Sequence, residues 1–249
     1  MLAVFDVLLA VGLAVTGAIL LRTRKAKEKL DEELEQRTAR GETGLREARR
    51  FAEDIILDTN TAHPSLAVSP DRKHVHTLST MQDIPDKPVR FTVMPFVLGH
   101  KSFSSGSHYW EVEVAGQDRW QIGLCWDSVK RKVLHMYTFP ENGFWSLSLS
   151  DGRYEGLTVP RFVIDVETPP DVVGVFLQYE KGLISFYNVN TSTILYTFKS
   201  KFTQPLRPYF YPGPPTQKST PGLTILPVPS DSDSPYSSHS SEVEVAMWI

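Results

Sequence analysis

The sequence predicts an all-β fold, a β-sandwich standing behind a transmembrane helix and a short helical stalk. Three observations carry this. His108-Tyr109-Trp110-Glu111-Val112-Glu113-Val114 alternates apolar and polar residues with the period of a half-buried strand. Val173 to Asn188 reads as two strands joined by a short turn at Lys181-Gly182. Met1 to Leu21 is apolar apart from Asp6 and Thr16.

The amino-terminal run comes first. As a helix, residues 1–21 would span roughly 31 Å, enough for a hydrocarbon core. About a dozen Leu, Ile, Val and Phe favour insertion by around 5 kcal/mol, against at most about 3 kcal/mol for Asp6 near the end of the span. Arg22, Arg24, Lys25, Lys27 and Lys29 follow directly and nothing basic precedes. The positive-inside rule then places the carboxyl side in the cytoplasm, most simply at the plasma membrane. The same five cations are expected to meet anionic membrane lipid, at about 1 kcal/mol each near the surface. The competing reading is a cleaved signal peptide, but the basic start and the small-residue cleavage site it needs are missing. Secretion would expose Asn190-Thr191-Ser192, an acceptor pattern for glycosylation that stays bare in the cytoplasm.

Residues 22–51 form a charged juxtamembrane stalk. Leu30, Leu34, Leu45, Ala48, Ala52 and Ile55 fall near three-four spacing, while Gly41, Thr43 and Gly44 interrupt it. Lys29 with Glu33, and Glu42 with Arg46, sit four apart and support a helix by about 0.2–0.5 kcal/mol each. Two readings stand: a solvated single helix, or a weak parallel homodimer helped by membrane tethering. Phe51, Ile55 and Ile56 are expected to dock the end of the stalk on the domain that follows.

From 52 to 228 the strand candidates are short and separated by turn residues: 108–114, 120–126, 144–149, 162–166, 172–178, 183–188, 194–198, 208–211 and 223–226. Many short strands with breakers between them argue a sandwich. Trp110, Val112 and Val114 should face the core and Glu111 and Glu113 outward. Val172 to Leu177 is nearly continuous in apolar residues, as in a central strand covered on both faces. The single cysteine, Cys125, excludes an internal disulfide framework and is read as a buried structural thiol. A formal charge of −3 with mixed signs gives no basic face for nucleic acid.

Ordered motifs then point to a family. Leu57 to Pro64, Thr61-Ala62-His63-Pro64-Ser65-Leu66 and Ser69-Pro70-Asp71-Arg72-Lys73 are followed by Phe96-Val97-Leu98-Gly99, Phe103, Ser105-Gly106 and His108-Tyr109-Trp110. Pro140-Glu141-Asn142-Gly143-Phe144-Trp145 and Pro208-Tyr209-Phe210 close the series. From about Ala52 to Val228 the chain resembles the PRY and SPRY halves of a B30.2 domain; Gln178, where the family usually has Asp, is a mild departure. Membrane span, charged stalk and B30.2 domain in that order resemble butyrophilins and butyrophilin-like proteins. Tripartite-motif ligases begin with zinc-binding modules that one cysteine cannot build. The immunoglobulin ectodomain of butyrophilins is not in this sequence, so the chain is read as the membrane-to-cytoplasm part of such a protein.

The resemblance implies protein–protein recognition in butyrophilin-like immune signalling or T-cell regulation, with cytoplasmic protein partners and a butyrophilin-family paralogue as co-receptor. The alternatives are an intracellular scaffold for secretory-membrane cargo and a sensor of phosphoantigens. Butyrophilins that sense phosphoantigens hold a pyrophosphate with His, Lys and Arg. Carried across, those positions fall on Met94, Gln121, Met136 or Tyr137, Glu155 and Arg161. Only Arg161 keeps the chemistry, and one guanidinium beside a carboxylate does not supply the converging donors a pyrophosphate needs. The six residues are instead a candidate partner-binding surface, set against the plainer reading of ordinary loop surface.

No catalytic residues, cofactor or metal site emerge. The chain has no Gly-x-Ser-x-Gly elbow, phosphate-binding glycine loop or His-Glu-x-x-His pair. His74 and His76 are two apart and would share a face if they lay on a strand, but no carboxylate or thiol partner is evident; His63 and His108 sit inside framework motifs. Residues 229–249 are Ser-rich, acidic and expected to be disordered. Ser230, Ser232 and Ser234 are candidate phosphorylation sites. The closing Met247-Trp248-Ile249 is a candidate strand for a PDZ-type groove.

Overall fold

The computed structural model describes residues 2–134, 137–215 and 222–228. Helix α1 (Leu2–Arg49) runs unbroken through the apolar run and nearly all of the charged stretch that follows it. Among the described residues no helix is long and apolar enough to cross a membrane. The described side chains turn charged from Arg22 onward; those of residues 2–15, 17 and 18 lie outside the described set. Gly41 and Gly44 do not break the helix either. Leu, Ala, Lys, Glu and Arg, all strong helix formers, surround them, and no proline intervenes. The helix closes with three short-range bonds, from the N–H groups of Arg50, Phe51 and Ala52 to the carbonyls of Glu47, Ala48 and Arg49. The chain then lies extended beside Tyr109, whose N–H donates to the Phe51 carbonyl at 2.8 Å.

Two antiparallel sheets follow. The seven-stranded sheet has the order β1 (Leu66–Val68), β2 (His74–Thr77), β13 (Leu223–Ile225), β4 (Ser107–Glu113), β9 (Val172–Gln178), β10 (Leu183–Asn188) and β11 (Thr193–Lys199). The six-stranded sheet has the order β3 (Val97–Leu98), β12 (Leu206–Tyr211), β5 (Arg119–Trp126), β6 (Phe144–Ser150), β7 (Arg153–Gly156) and β8 (Phe162–Ile164). Every strand foreseen in the sequence is present. β1, β2, β3 and β7 were not foreseen: they are two to four residues long, too short for alternation to register. The β9–β10 turn lies where Lys181-Gly182 predicted it, with Gly182 at φ +68°, a conformation that favours glycine.

The main core fills the space between the sheets. Trp110, Val112, Val173, Val175, Leu177 and Phe186 from one side meet Trp120, Ile122, Leu124, Trp145, Leu147 and Phe210 from the other. Burial of each such side chain is worth about 1.5–3 kcal/mol. Each sheet also has a cover on its outer face. Phe91, Phe96, Leu98, Cys125, Phe144 and Tyr209 pack as a second cluster over the six-stranded sheet. Burial pushes the Cys125 thiol far above the usual thiol range, consistent with an inert structural cysteine.

Over the seven-stranded sheet, Leu45 and Ala48 of α1 press on Tyr109, Phe176 and Tyr187. This corrects one expectation. Glu113 is exposed, but Glu111 is 9 % exposed because the helix lies on top of it. It accepts from Arg49 Nε at 2.9 Å and from Tyr109 Oη at 2.6 Å. It also explains why β9 reads as apolar throughout: its alternate residues face the sandwich core and the helix. Of the predicted docking residues, Ile55 is fully buried, while Phe51 is half exposed and stacks on Phe176 at 5.9 Å. Leu30 and Leu34 remain exposed.

Candidate functional site

The register of the six-stranded sheet builds a surface from distant parts of the chain. Gln121 of β5 opposes Tyr211 of β12 on one side and Ser148 of β6 on the other. Ser148 opposes Glu155 of β7, which opposes Val163 of β8. Directly opposed residues share a face. That face is the outer one, because Trp120 and Ile122 on either side of Gln121 point into the core. A parallel row two residues along carries Arg119, Ser150 and Arg153.

Serine stands at 148 and 150 in these rows, where Ser148 is buried and Ser150 partly exposed. The walls of this surface are aromatic and charged. Tyr211 leans against Phe96, ring centroids 5.8 Å apart, and Met94 packs on the same aromatic cluster. Gln121 Oε1 accepts from Thr138 Oγ1 and Tyr209 Oη, each at 3.3 Å, which orients the amide. Thr138 draws in its neighbour Tyr137, which is 62 % exposed and stacks on Phe139 with an interplanar angle of 3°. Asn142 Nδ2 holds that loop by donating to the Tyr137 carbonyl at 2.9 Å. At the far side Arg161 Nη1 donates to Glu155 Oε2 at 3.0 Å. Arg119 is likewise paired, with Asp151 at 2.8 Å.

Gln121 and Glu155 therefore share one row, Arg161 is tied to it, and Met94 and Tyr137 flank it. Met136 lies outside the described residues, as do Ser230, Ser232, Ser234 and Met247-Trp248-Ile249. The sequence reading missed Tyr211, Ser148, Arg119 and Arg153. Their strand parity was available, but not which strand lies next to which. With Arg119 and Arg161 each held by a carboxylate, the charge that would attract a pyrophosphate is largely neutralised at source.

His63 and His108 are held by contacts within the domain. His63 is buried, its Nδ1 lies 2.7 Å from Ser65 Oγ, and burial holds its pKa below the usual imidazole range. His108 stacks on Phe103 at 3.9 Å, with Nδ1 at 2.8 Å from Glu53 Oε1 and Nε2 at 2.7 Å from the Ser105 carbonyl. The His74 and His76 rings are 5.6 Å apart, and His74 Nδ1 lies 3.1 Å from Thr224 Oγ1. Among the described residues no group of three His, Cys, Asp or Glu could hold a metal ion.

Comparison with known proteins gives this geometry a context. The model of the SPRY domain matches residues 107–223, and that of the SPRY-associated domain, PRY, matches residues 55–103. Human erythroid membrane-associated protein is 42% identical over 192 residues, 77% of this chain and 40% of that protein. Bovine butyrophilin subfamily 1 member A1 is 40% identical over 215 residues, 84% of this chain and 41% of that protein. The chain thus spans about two fifths of the length of the curated relatives it matches. Among solved structures, the crystal structure of the TRIM65 PSpry domain superposes with a TM-score of 0.61 at 23% identity, over 73% of this chain and 94% of that one. At that identity the likeness speaks for the fold.

Proposed function

Because the chain belongs to the PRY–SPRY (B30.2) family, we propose that it is a protein-recognition module. The outer face of its six-stranded sheet, from Tyr211 through Gln121 and Ser148 to Glu155 and Arg161, would take a loop or peptide of a protein partner. One observation carries this reading: aromatic and apolar side chains flank the rows that carry the serines, with a fixed amide and a fixed guanidinium–carboxylate pair in reach. Interfaces favour this mixture of Tyr, Met, Arg and oriented polar groups. It is a binding surface, with no part in catalysis. In the exposed variants Arg161→Glu and Val163→Arg, proximity labelling by the full chain in cells is expected to lose the same set of neighbours. An unchanged set in both variants removes the proposal.

The reading extends to the amino terminus. The apolar run of residues 1–21 anchors the chain in a membrane, Arg22 to Lys29 meet anionic headgroups, and the sandwich faces the cytoplasm. Support comes from the insertion arithmetic, from the cations after the run, and from a relative whose name records membrane association. The role is regulation in the manner of a butyrophilin-like protein, with a family paralogue as co-receptor. Leu30 and Leu34, four apart and 56% and 44% exposed, are where two stalks would pair. Alkaline carbonate extraction tests the anchor: the chain should stay in the membrane pellet, and its release to the supernatant would remove this part.

A further inference from the structure

The row of the recognition surface ends on an open strand edge. β8 is the last strand of the six-stranded sheet, and among the described residues no strand pairs with its far side. Register fixes where its main-chain groups point. Leu157 N–H donates to the Ser146 carbonyl at 3.0 Å, so Glu155, two residues back, also turns its N–H and C=O toward β6. Tyr154 and Gly156 then turn theirs toward β8, where they oppose Ile164 and Phe162. Val163 stands between those two and is left with N–H and C=O both aimed outward. An unpaired edge of this kind is a template for another strand.

The side chains at this edge are apolar and open to solvent. Phe162 is 54% exposed, Val163 59%, and Val159, just ahead of the strand, 64%. Arg161 and Asp165 stand two residues to either side of Val163, at its parity. Arg161 uses Nη1 on Glu155 and keeps further N–H donors. Asp165 makes no ion pair among the described residues. One side of the edge thus reads cation, apolar group, carboxylate, and the other carries the Phe162 ring.

We propose that the protein partner enters as an extended strand antiparallel to β8, bonded through its main chain to Val163. It places a cation opposite Asp165, a β-branched residue opposite Val163, an aromatic ring opposite Phe162 and a carboxylate opposite Arg161. Main-chain bonds supply the affinity, and the two charges set the direction. The inference rests on the recognition surface proposed above and names the form in which its partner arrives. A second copy of β8 offers the same order of charges, but the two-fold axis relating two paired β8 strands stands normal to the sheet. That axis would turn the two α1 helices, which cross the seven-stranded sheet from Tyr109 to Ser192, in opposite directions and away from a shared membrane.

The test titrates the full chain, in detergent micelles, into the fluorescein-labelled peptide Thr-Lys-Thr-Val-Tyr-Glu-Thr and reads anisotropy. Methylating the peptide's valine nitrogen removes the donor to the Val163 carbonyl and should weaken binding at least tenfold. Methylating its tyrosine nitrogen, which points away from β8, should leave binding within twofold. Exchanging the peptide's Lys and Glu should weaken it at least fivefold. Asp165→Lys should weaken the parent peptide at least twofold, and glutamate in place of the peptide's lysine should restore it. Equal binding of the valine-methylated peptide, or no binding at millimolar peptide, overturns the proposal. Self-association of the chain that Val163→Pro abolishes, without peptide binding, assigns the edge to a second copy and overturns it too. If the peptide fails while Arg161→Glu and Val163→Arg still lose their labelled neighbours, the recognition surface stands without strand addition. Peptide binding as expected with labelling unchanged in both variants leaves strand addition standing and sinks the recognition surface instead.

Discussion

Arg49, on the last turn of α1, donates from Nε to Glu111 Oε1 at 2.9 Å, and so locks the stalk helix to the centre of the seven-stranded sheet. The same oxygen accepts from Tyr109 Oη at 2.6 Å. Burial and the Glu111 charge together push the Tyr109 phenol far above its usual range, so it acts as a permanent donor. Helix and sandwich therefore share a layer, and a force on the stalk is delivered to β4.

The first prediction concerns this contact. Glu111→Ala leaves the buried Tyr109 hydroxyl without its acceptor and should lower the unfolding free energy by about 1–3 kcal/mol. Tyr109→Phe added to Glu111→Ala should cost little more, since the orphaned hydroxyl is then gone. Denaturant midpoints of the parent, the two single variants and the double variant decide this; additive losses would mean that the bond contributes nothing of its own.

Gly41 offers a test of opposite sign to intuition. On an isolated helix, Gly→Ala gains about 1 kcal/mol. Here a Cβ at Gly41 would overlap the Ser192 carbonyl oxygen, and one at Gly44 would approach Tyr187 Oη at 2.9 Å. Backbone at 192 cannot step aside cheaply. Gly41→Ala is therefore expected to destabilise and to speed proteolysis within 22–48, while a rise in melting temperature would show that the helix end is not docked as described.

Acid should loosen the junction between the stalk and the domain. Burial pushes the Glu53 carboxyl up, but hydrogen bonds from Lys101 and His108, with their charges, outweigh it and leave the pKa lowered. Burial also opposes Asp58, where the Arg207 hydrogen bond and the Asn60 N–H prevail and again lower it. Groups lowered in the folded state stabilise it above the unfolded carboxylate pKa of about 4, and that stability is lost as pH falls through the folded values. Stability measured from pH 7 to pH 3 should fall below about pH 4.5, and less steeply in Glu53→Gln. An unchanged acid slope in that variant would count against the assignment.

Arg207 ties the first and second halves of the sandwich. It is 8 % exposed and donates to Asp58 Oδ2 at 2.9 Å, Asp127 Oδ1 at 3.3 Å and the Gly99 carbonyl at 2.8 Å from Nε. Arg207→Met keeps the packing of the stem but strands the partly buried Asp58, at a cost of about 3 kcal/mol. Thermal denaturation should show a loss of that order; a neutral result would mean that Asp58 finds water instead.

Pyrophosphate and its organic esters should give no calorimetric signal at micromolar concentration with the parent chain. Glu155 holds Arg161, and Met94 and Gln121 bring no charge. Micromolar binding would show that the paired arginines open readily to an anion, and would reverse the reading of the outer face.

Much of this was legible in the sequence because strand parity is local. Trp110, Val112 and Val114 face the core as their alternation says, and Cys125 is buried as its apolar strand says. Glu111 obeys the same rule and is buried all the same. It does point away from the core, but alternation is silent on what covers the other face. Gly41 and Gly44 looked like interruptions of a helix and are instead the places where it touches the sheet.

The sequence by itself determined nine of the thirteen described strands, the faces they turn to the core and the family pattern from Leu57 to Phe210, since each depends on neighbours a few positions away. Only the tertiary structure decided that β13, the last of the described strands, inserts between β2 and β4, and that Tyr211, Gln121, Ser148 and Glu155 form one row. Register across a sheet is settled by which side chains interlock over long chain separations, and no local periodicity encodes that choice.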